Sequence, residues 1–124
     1  MSEEIDLTNK KCLPCEGGID AIDKKQADYL IKKLDKGWSL TDDSKKIYKD
    51  FKFKNHYEVM AAINLIAWIS HREDHHPEII FSYNTARVIY YTYSIDGLSE
   101  NDFICASKID KTTDTYLSEI VQRL

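Results

Sequence analysis

No run of about 18 apolar residues occurs in the sequence, so nothing in it reads as a membrane-spanning helix. The opening stretch, MSEEIDLTNKK, lacks an apolar core and does not read as a secretory signal. That absence, with only three cysteines, points to a reducing intracellular compartment. The cytoplasm is the expected location, with the nucleus as the alternative. Positive charge is not in excess either. A formal net charge of -4 disfavours nucleic acid as a direct partner on electrostatic grounds. Internal repeats, low-complexity tracts and linkers are also missing.

What is present suits one domain with one modest core. The chain has 124 residues, and 43% of them are apolar. Residues 1–18 are polar and turn-rich, and are expected to lie loosely on the surface ahead of a single domain over 19–124. Within that segment Cys12 and Cys15 form a C-x-x-C pair. Zinc usually needs four ligands, and no second cysteine pair or suitable histidine pair follows at finger spacing. The stretch CLPCEGG therefore reads as a turn that carries thiols. Cys105 sits in an apolar helical stretch and reads as packing.

Periodicity divides the rest. From Asp23 to Leu34 the apolar residues recur at helical spacing, with Asp23 as N-cap and Gly37 beyond the end. In WSLTDDSKKIYKDFKFK, Trp38 and Leu40 alternate with polar residues, and Ile47, Phe51 and Phe53 share one parity beyond a polar turn. That predicts a hairpin, with its lysines (45, 46, 49, 52 and 54) on a solvated face. Asn55 can cap a helix from 56 to about 74, whose centre, VMAAINLIAWI, is apolar all round except for Asn64. Such a helix is covered on more than one side, so a homodimer or homotetramer is expected, with a charge at Ile66 breaking assembly first. IIFSYN and ARVIYYTY predict a second hairpin around Asn84 and Thr85. Ser99 is the N-cap of a last helix with Asp102 in the capping-box position, and Lys111 to Asp114 marks a weak spot in it. The order is α-ββ-α-ββ-α. It predicts an α+β two-layer sandwich: a four-stranded antiparallel sheet with helices on one face.

Three of the four histidines fall in HREDHHPEIIFSYN, residues 71–84. His71 and His75 are four apart and are expected on one helix face. Pro77 disfavours helical geometry at His76, so the helix is expected to end there and both imidazoles to converge on one pocket. Glu73, Asp74 and Glu78 add carboxylates within reach. An imidazole near a helix C-terminus is favoured in its charged form by the dipole and in its neutral form by burial. The residues alone leave three readings open. The pair can perform acid/base work near neutral pH. They can be ordinary surface or hydrogen-bonded histidines. Or His71 and His75 can chelate a metal, with Asp74 or His76 as a third ligand.

HREDHHPEIIFSYN followed by YYTYSIDGLSEND resembles the signature of the pterin-4a-carbinolamine dehydratases. CEGGI, the pair Gly37-Trp38, and FKFKN ahead of the central helix resemble the same family, so the likeness spans nearly the whole chain. The resemblance implies the fold order just given. It also implies dehydration of 4a-hydroxytetrahydrobiopterin to quinonoid dihydropterin within tetrahydrobiopterin recycling, with no metal and no cofactor. Water elimination needs an acid at the departing C4a hydroxyl and a base for a ring N–H. The resemblance places His75, His76 and Tyr93 in the catalytic positions, with His76 acting at the C4a hydroxyl and His75 binding and polarising the ring. It places His71, Asp74, Pro77, Tyr91, Thr92, Ser94 and Asp102 in contact with the pterin. Tyr91 to Ser94 are expected to form a strand end that offers backbone groups.

Two positions depart from the pattern. Tyr93 stands where the family carries a third histidine; a phenol donates a hydrogen bond but accepts a proton poorly at neutral pH. His71 stands where many members carry Glu. Asp102 has a competing role as a helix cap. The resemblance also brings a rival class, because some members bind a transcription factor as a dimerisation cofactor. The alternative function is therefore a non-catalytic coactivator-type binding module with a transcription-factor partner.

Overall fold

The computed structural model describes residues 6–13 and 20–117. The whole of CEGGI, Cys15 included, and the last seven residues, 118–124, where the last helix is expected to continue, lie outside the described residues. Asp23 caps the first helix as expected, its side chain accepting a hydrogen bond from Gln26 N at 2.8 Å; the helix, α1, is Lys24–Ile31. The first hairpin follows as β1, Trp38–Leu40, and β2, Ile47–Lys52. Asn55 caps α2, His56–Glu73, by accepting from Glu58 N at 3.0 Å. The second hairpin is β3, Glu78–Phe81, and β4, Thr85–Tyr90. Helix α3, Glu100–Tyr116, starts with a capping box built from Ser99 and Asp102.

The four strands form one antiparallel sheet in the order β1-β2-β4-β3, with Ile47 opposite Tyr90 and Ile79 opposite Val88. Side chains alternate across a strand, so one parity is buried. Ile47 and Phe51 on β2, and Ala86, Val88 and Tyr90 on β4, face the helices and are nearly inaccessible. The opposite face is polar, with Arg87 donating to Asp50 through Nε at 2.7 Å and Nη2 at 3.0 Å. Val59, Ala62, Ile66 and Ile69 of α2, with Phe103, Ile104 and Ile109 of α3, complete the core. This is the α+β architecture expected of the sequence, with helices on one face of the sheet.

Several local expectations need correction. Residues 6–13 are not loose: Leu7 is buried in the core within a 3-10 turn, Leu7–Asn9, and Thr8 Oγ1 lies 2.6 Å from Ser107 Oγ on α3. Helix α2 ends at Glu73, not at the residue before Pro77. Asp74 adopts a left-handed conformation (φ 51°, ψ 42°), its N–H bonds His71 O at 3.2 Å, and His75 N–H bonds Ser70 O at 3.1 Å. That pair of bonds is a Schellman stop, with Asp where Gly is usual. Ile66 faces the protomer's own core at 1% exposure, so a charge there attacks folding before assembly. Helix α3 runs unbroken through Lys111 to Asp114, and the run through Tyr93 leaves the sheet after Tyr90.

Lys49 is the other correction. It shares the inward parity of Ile47 and Phe51, and its side chain is only 12% exposed. Its Nζ bonds Asp110 Oδ1 at 2.9 Å, and the same carboxylate accepts from Trp38 Nε1 at 2.8 Å and from Asp35 N at 3.0 Å. Burial raises the Asp110 carboxyl above the usual carboxylate range, against the pull of Lys49. Asp35 Oδ2 lies 3.7 Å from Lys49 Nζ, beyond hydrogen-bond reach. The network pins the β1–β2 hairpin to α3. Removing one partner of a buried ion pair is costlier than the pair is worth, because the other charge stays buried. Asp110→Ala is expected to cost roughly 3–5 kcal/mol of unfolding free energy, measured by chemical denaturation; a loss below about 1 kcal/mol, the scale of an exposed ion pair, would show that the network is not structural.

Candidate active site

The Schellman stop at Asp74 releases the chain from α2 one residue before the adjacent histidines. His75 therefore lies outside the helix, and its ring turns back toward the sheet. Three constraints hold it. Its backbone N–H is tied to Ser70 O. Its ring stacks on that of Tyr90, with centroids 5.6 Å apart and planes 8° from parallel. Its Nε2 lies 2.6 Å from Asp102 Oδ1.

Asp102 is fully buried. Its second oxygen, Oδ2, accepts from Ser99 N at 3.0 Å and from Thr92 Oγ1 at 2.8 Å. One side chain thus caps α3 and grips the His75 ring: of the two readings weighed for it, the capping role is the one seen here, and Oδ1 reaches the cleft only through His75. In the tautomer that carries its proton on Nε2 the His75 ring donates to Oδ1, and Nδ1 is left as the ring's second hydrogen-bonding atom. The start of α3 also favours negative charge at this place.

Tyr90 supports the ring from below. Its hydroxyl lies 2.8 Å from Ser70 Oγ, which also donates to Ile66 O at 2.9 Å. Burial drives the Tyr90 phenol well above its ordinary range, so it stays protonated. Glu73, the last residue of α2, bonds Cys12 N at 3.0 Å and lies 3.3 Å from Lys108 Nζ. Burial opposes ionisation of Glu73, but these two donors outweigh it and hold the carboxyl below its usual range.

His75 and His76 open onto one cleft of about 520 Å³, together with Asp74 on one side and Tyr91, Thr92, Tyr93 and Ser94 on the other. The latter four form a loop after β4, not a strand end. Thr92 pairs with Gly97 in an isolated bridge, and Tyr93–Ile95 make a 3-10 turn. Both backbone groups of Thr92 bond within the loop, with N–H to Gly97 O at 2.8 Å and the carbonyl accepting from Ile95 N at 3.2 Å. Tyr93 is 84% exposed, with its ring edge-on to Tyr91.

Three expected site residues are placed elsewhere. His71 remains on α2, exposed and tilted against Trp68 with centroids 5.6 Å apart. Because the helix stops between them, His75 opens onto the cleft and His71 does not, and among the described residues no group of three His, Cys, Asp or Glu side chains comes together as the chelate weighed for them would need. Pro77 does not line the cleft. Asp102 lies behind His75, not on the cleft surface. Glu78 points outward on β3. Sequence reasoning missed Cys12, Leu13 and Asn101, which line the cleft too. Asn101 Nδ2 donates to Leu13 O at 2.6 Å while its Oδ1 accepts from Leu13 N at 3.0 Å. Only the thiol at Cys12 gave any signal, and it read as a turn.

A family model described as pterin 4 alpha carbinolamine dehydratase matches residues 20–112, which include the cleft's two histidines, the β4 loop and Asp102. The chain belongs to this family. A protein of Nitrosomonas europaea named "Putative pterin-4-alpha-carbinolamine dehydratase" is 53% identical over 89% of this chain and 96% of its own length. A relative from Dechloromonas aromatica with the same name is 49% identical over 90% of this chain and 96% of its own. Among solved structures, a transcriptional coactivator/pterin dehydratase from Brucella melitensis superposes with a TM-score of 0.69 at 28% identity, covering 74% of this chain and 97% of that one. A pterin dehydratase-like protein described as a RuBisCO assembly factor in the alpha-carboxysome shares the fold at TM-score 0.53 and 18% identity, over 62% of this chain and 89% of that one. Among the described residues, no helix is long and apolar enough to cross a membrane.

Asp102→Ala removes the carboxylate half of the α3 capping box and strands the His75 Nε2–H, while the Thr92 hydroxyl keeps Ser99 Oγ at 2.6 Å. The expected loss is roughly 3 kcal/mol of stability. It should be accompanied by a changed chemical shift and faster solvent exchange of the His75 ring N–H by NMR. An unchanged ring signal would show that the ring is held without the carboxylate.

Proposed function

We propose that the cleft dehydrates a pterin-4a-carbinolamine, 4a-hydroxytetrahydrobiopterin in the family's reaction, to the quinonoid dihydropterin. The observation that carries this reading is the adjacency of His75 and His76 on one cleft, with the His75 ring fixed by a buried carboxylate and His76 exposed at the rim. Loss of water from C4a requires a proton for the departing hydroxyl and removal of a proton from a ring nitrogen. Two imidazoles in different environments can divide those tasks. In this reading His76 gives the proton at the C4a hydroxyl. His75 presents Nδ1 to the heterocycle in a fixed orientation, because Asp102 restrains Nε2 and Tyr90 restrains the ring plane. Preorganisation of this kind contributes by keeping the reacting groups aligned before the substrate arrives. Tyr91 and Tyr93 supply aromatic surface for the flat ring, and Tyr93 donates a hydrogen bond in place of the family's third histidine. Asp74 and Ser94 face the pterin edge across the cleft. The chemistry uses only side chains of the protein.

Stopped-flow absorbance on freshly generated 4a-carbinolamine tests it. The protein should accelerate decay over buffer, and His76→Ala should lose about 10²–10⁴-fold of that acceleration with an unchanged melting temperature. Decay no faster than buffer with the wild-type protein would end the reading.

A second reading, a coactivator-type binding module, is favoured by the outer side of α2. Ala61, Asn64, Ala67 and Trp68 are exposed there, Trp68 by 58%. This face suits a homodimer or homotetramer, or a transcription-factor partner in exchange for a second copy. Trp68→Glu should lower the sedimentation coefficient toward that of a monomer at unchanged thermal stability. His76→Ala should leave the sedimentation coefficient where it is, which separates assembly from chemistry. A wild-type protein that already sediments as a monomer would remove the homo-oligomer.

A further inference from the structure

Residues 6–13 precede the stretch matched by the family model, yet they form part of the cleft wall. They are held to α3 and the end of α2 by the Leu13–Asn101 and Cys12–Glu73 hydrogen bonds, and by a 2.7 Å ion pair between Lys10 and Glu100. At the centre of this contact, Cys12 Sγ lies 3.4 Å from Cys105 Sγ. Cys105 is buried on α3 with its sulfur 3.9 Å from the carbonyl of His75. Cys12 is partly exposed and lines the cleft. The nearest sequence partner of Cys12 is Cys15, but the fold brings it against a thiol 93 positions away.

We propose that Cys12 and Cys105 are a reversible thiol–disulfide pair that fastens the N-terminal segment to the wall of the cleft. The proposal rests on this contact alone and is independent of the dehydratase reading. The sulfurs need to close from 3.4 Å to the about 2.05 Å of a disulfide bond. The oxidant is a small-molecule disulfide such as oxidised glutathione. Cys12, the accessible sulfur, attacks as thiolate; the glutathione S–S bond breaks and one glutathione leaves as thiolate. Cys105 then gives up its proton and attacks the Cys12 sulfur of the mixed disulfide, releasing the second glutathione. Two protein thiols are oxidised by two electrons, one glutathione disulfide is reduced to two thiols, and the protons are conserved. Cys105 is the resolving sulfur because its hydrogen bond with Cys12 and its burial raise its thiol above the ordinary range, whereas Cys12 meets solvent first. A reducing thiol reverses both steps.

The bond would close a loop from residue 12 to residue 105. Long loops restrict the unfolded chain most, so the oxidised form should melt higher by on the order of 10 °C. The test is to equilibrate the full chain in oxidised and then in reduced glutathione, trap free thiols by alkylation, and map the linked peptides by mass spectrometry. A Cys12–Cys105 cross-link should form, persist in Cys15→Ser, disappear in Cys12→Ser and Cys105→Ala, and reopen in reduced glutathione. A Cys12–Cys15 cross-link overturns the pairing, as does a glutathione adduct that stays on Cys12 or a full complement of free thiols. A cross-linked protein that melts with the reduced one overturns the fastening. Far-UV circular dichroism of the variants confirms that each folds, and the wild-type and Cys15→Ser arms decide the outcome without the core variant.

Discussion

The architecture around the cleft depends on one buried carboxylate. Asp102 is inaccessible to solvent, and each of its oxygens has a different task. Oδ2 accepts from Ser99 N and Thr92 Oγ1, which starts α3 and holds the loop after β4 against it. Oδ1 accepts from His75, which ties the chain leaving α2 to the same point. A buried charge is tolerated only where its lone pairs are met. The three donors come from three separate segments, so the carboxylate is stable only if α2, β4 and α3 converge. That convergence also makes the cleft. Hydrogen bonds to an ionised group are stronger than neutral ones, so the same contact both orders the site and stabilises the fold.

Helix α3 carries a second anchor near its other end. Asp110 joins Lys49 of β2, Trp38 of β1 and the backbone of Asp35. Asp102 and Asp110 are eight residues apart, and they fix the two hairpins of the sheet to one helix at two points. The cysteine contact lies between them, at Cys105. A helix held by charged groups at both ends cannot slide without stranding one of them. The His75 ring, stacked on Tyr90 of β4, is therefore supported by elements that are themselves immobilised.

Much of the fold is legible in the sequence because its signals are local. Asp23, Asn55 and Ser99 occur where helices begin, and each serves as a cap. The parity of Ile47, Phe51 and Phe53 marks the buried side of the first hairpin and its continuation. The paired histidines before Pro77 marked the cleft, and the resemblance they carry to the pterin-4a-carbinolamine dehydratases agrees with the family to which the chain belongs. The end of α2 falls within a residue of the expected 74, but its cause was misassigned: the stop is a left-handed Asp74, which has no strong local signal because the usual marker is Gly, and Pro77 three residues on was credited with it. Lys49 was assigned to solvent because lysine usually is, and only a carboxylate from α3, 61 positions away, makes its inward parity tolerable.

The sequence by itself determined the element order, the caps, the inward parity of the strands and the His-His-Pro block, all of which arise from contacts between residues close along the chain. Tertiary structure decided which histidine is gripped by Asp102, that His71 stays outside the cleft, that the N-terminal segment forms one of its walls, and that Cys12 meets Cys105. Those outcomes depend on side chains that meet across many tens of residues. Spacing along the chain cannot report such meetings, because only the packing of α3 against the sheet brings the partners within hydrogen-bond distance.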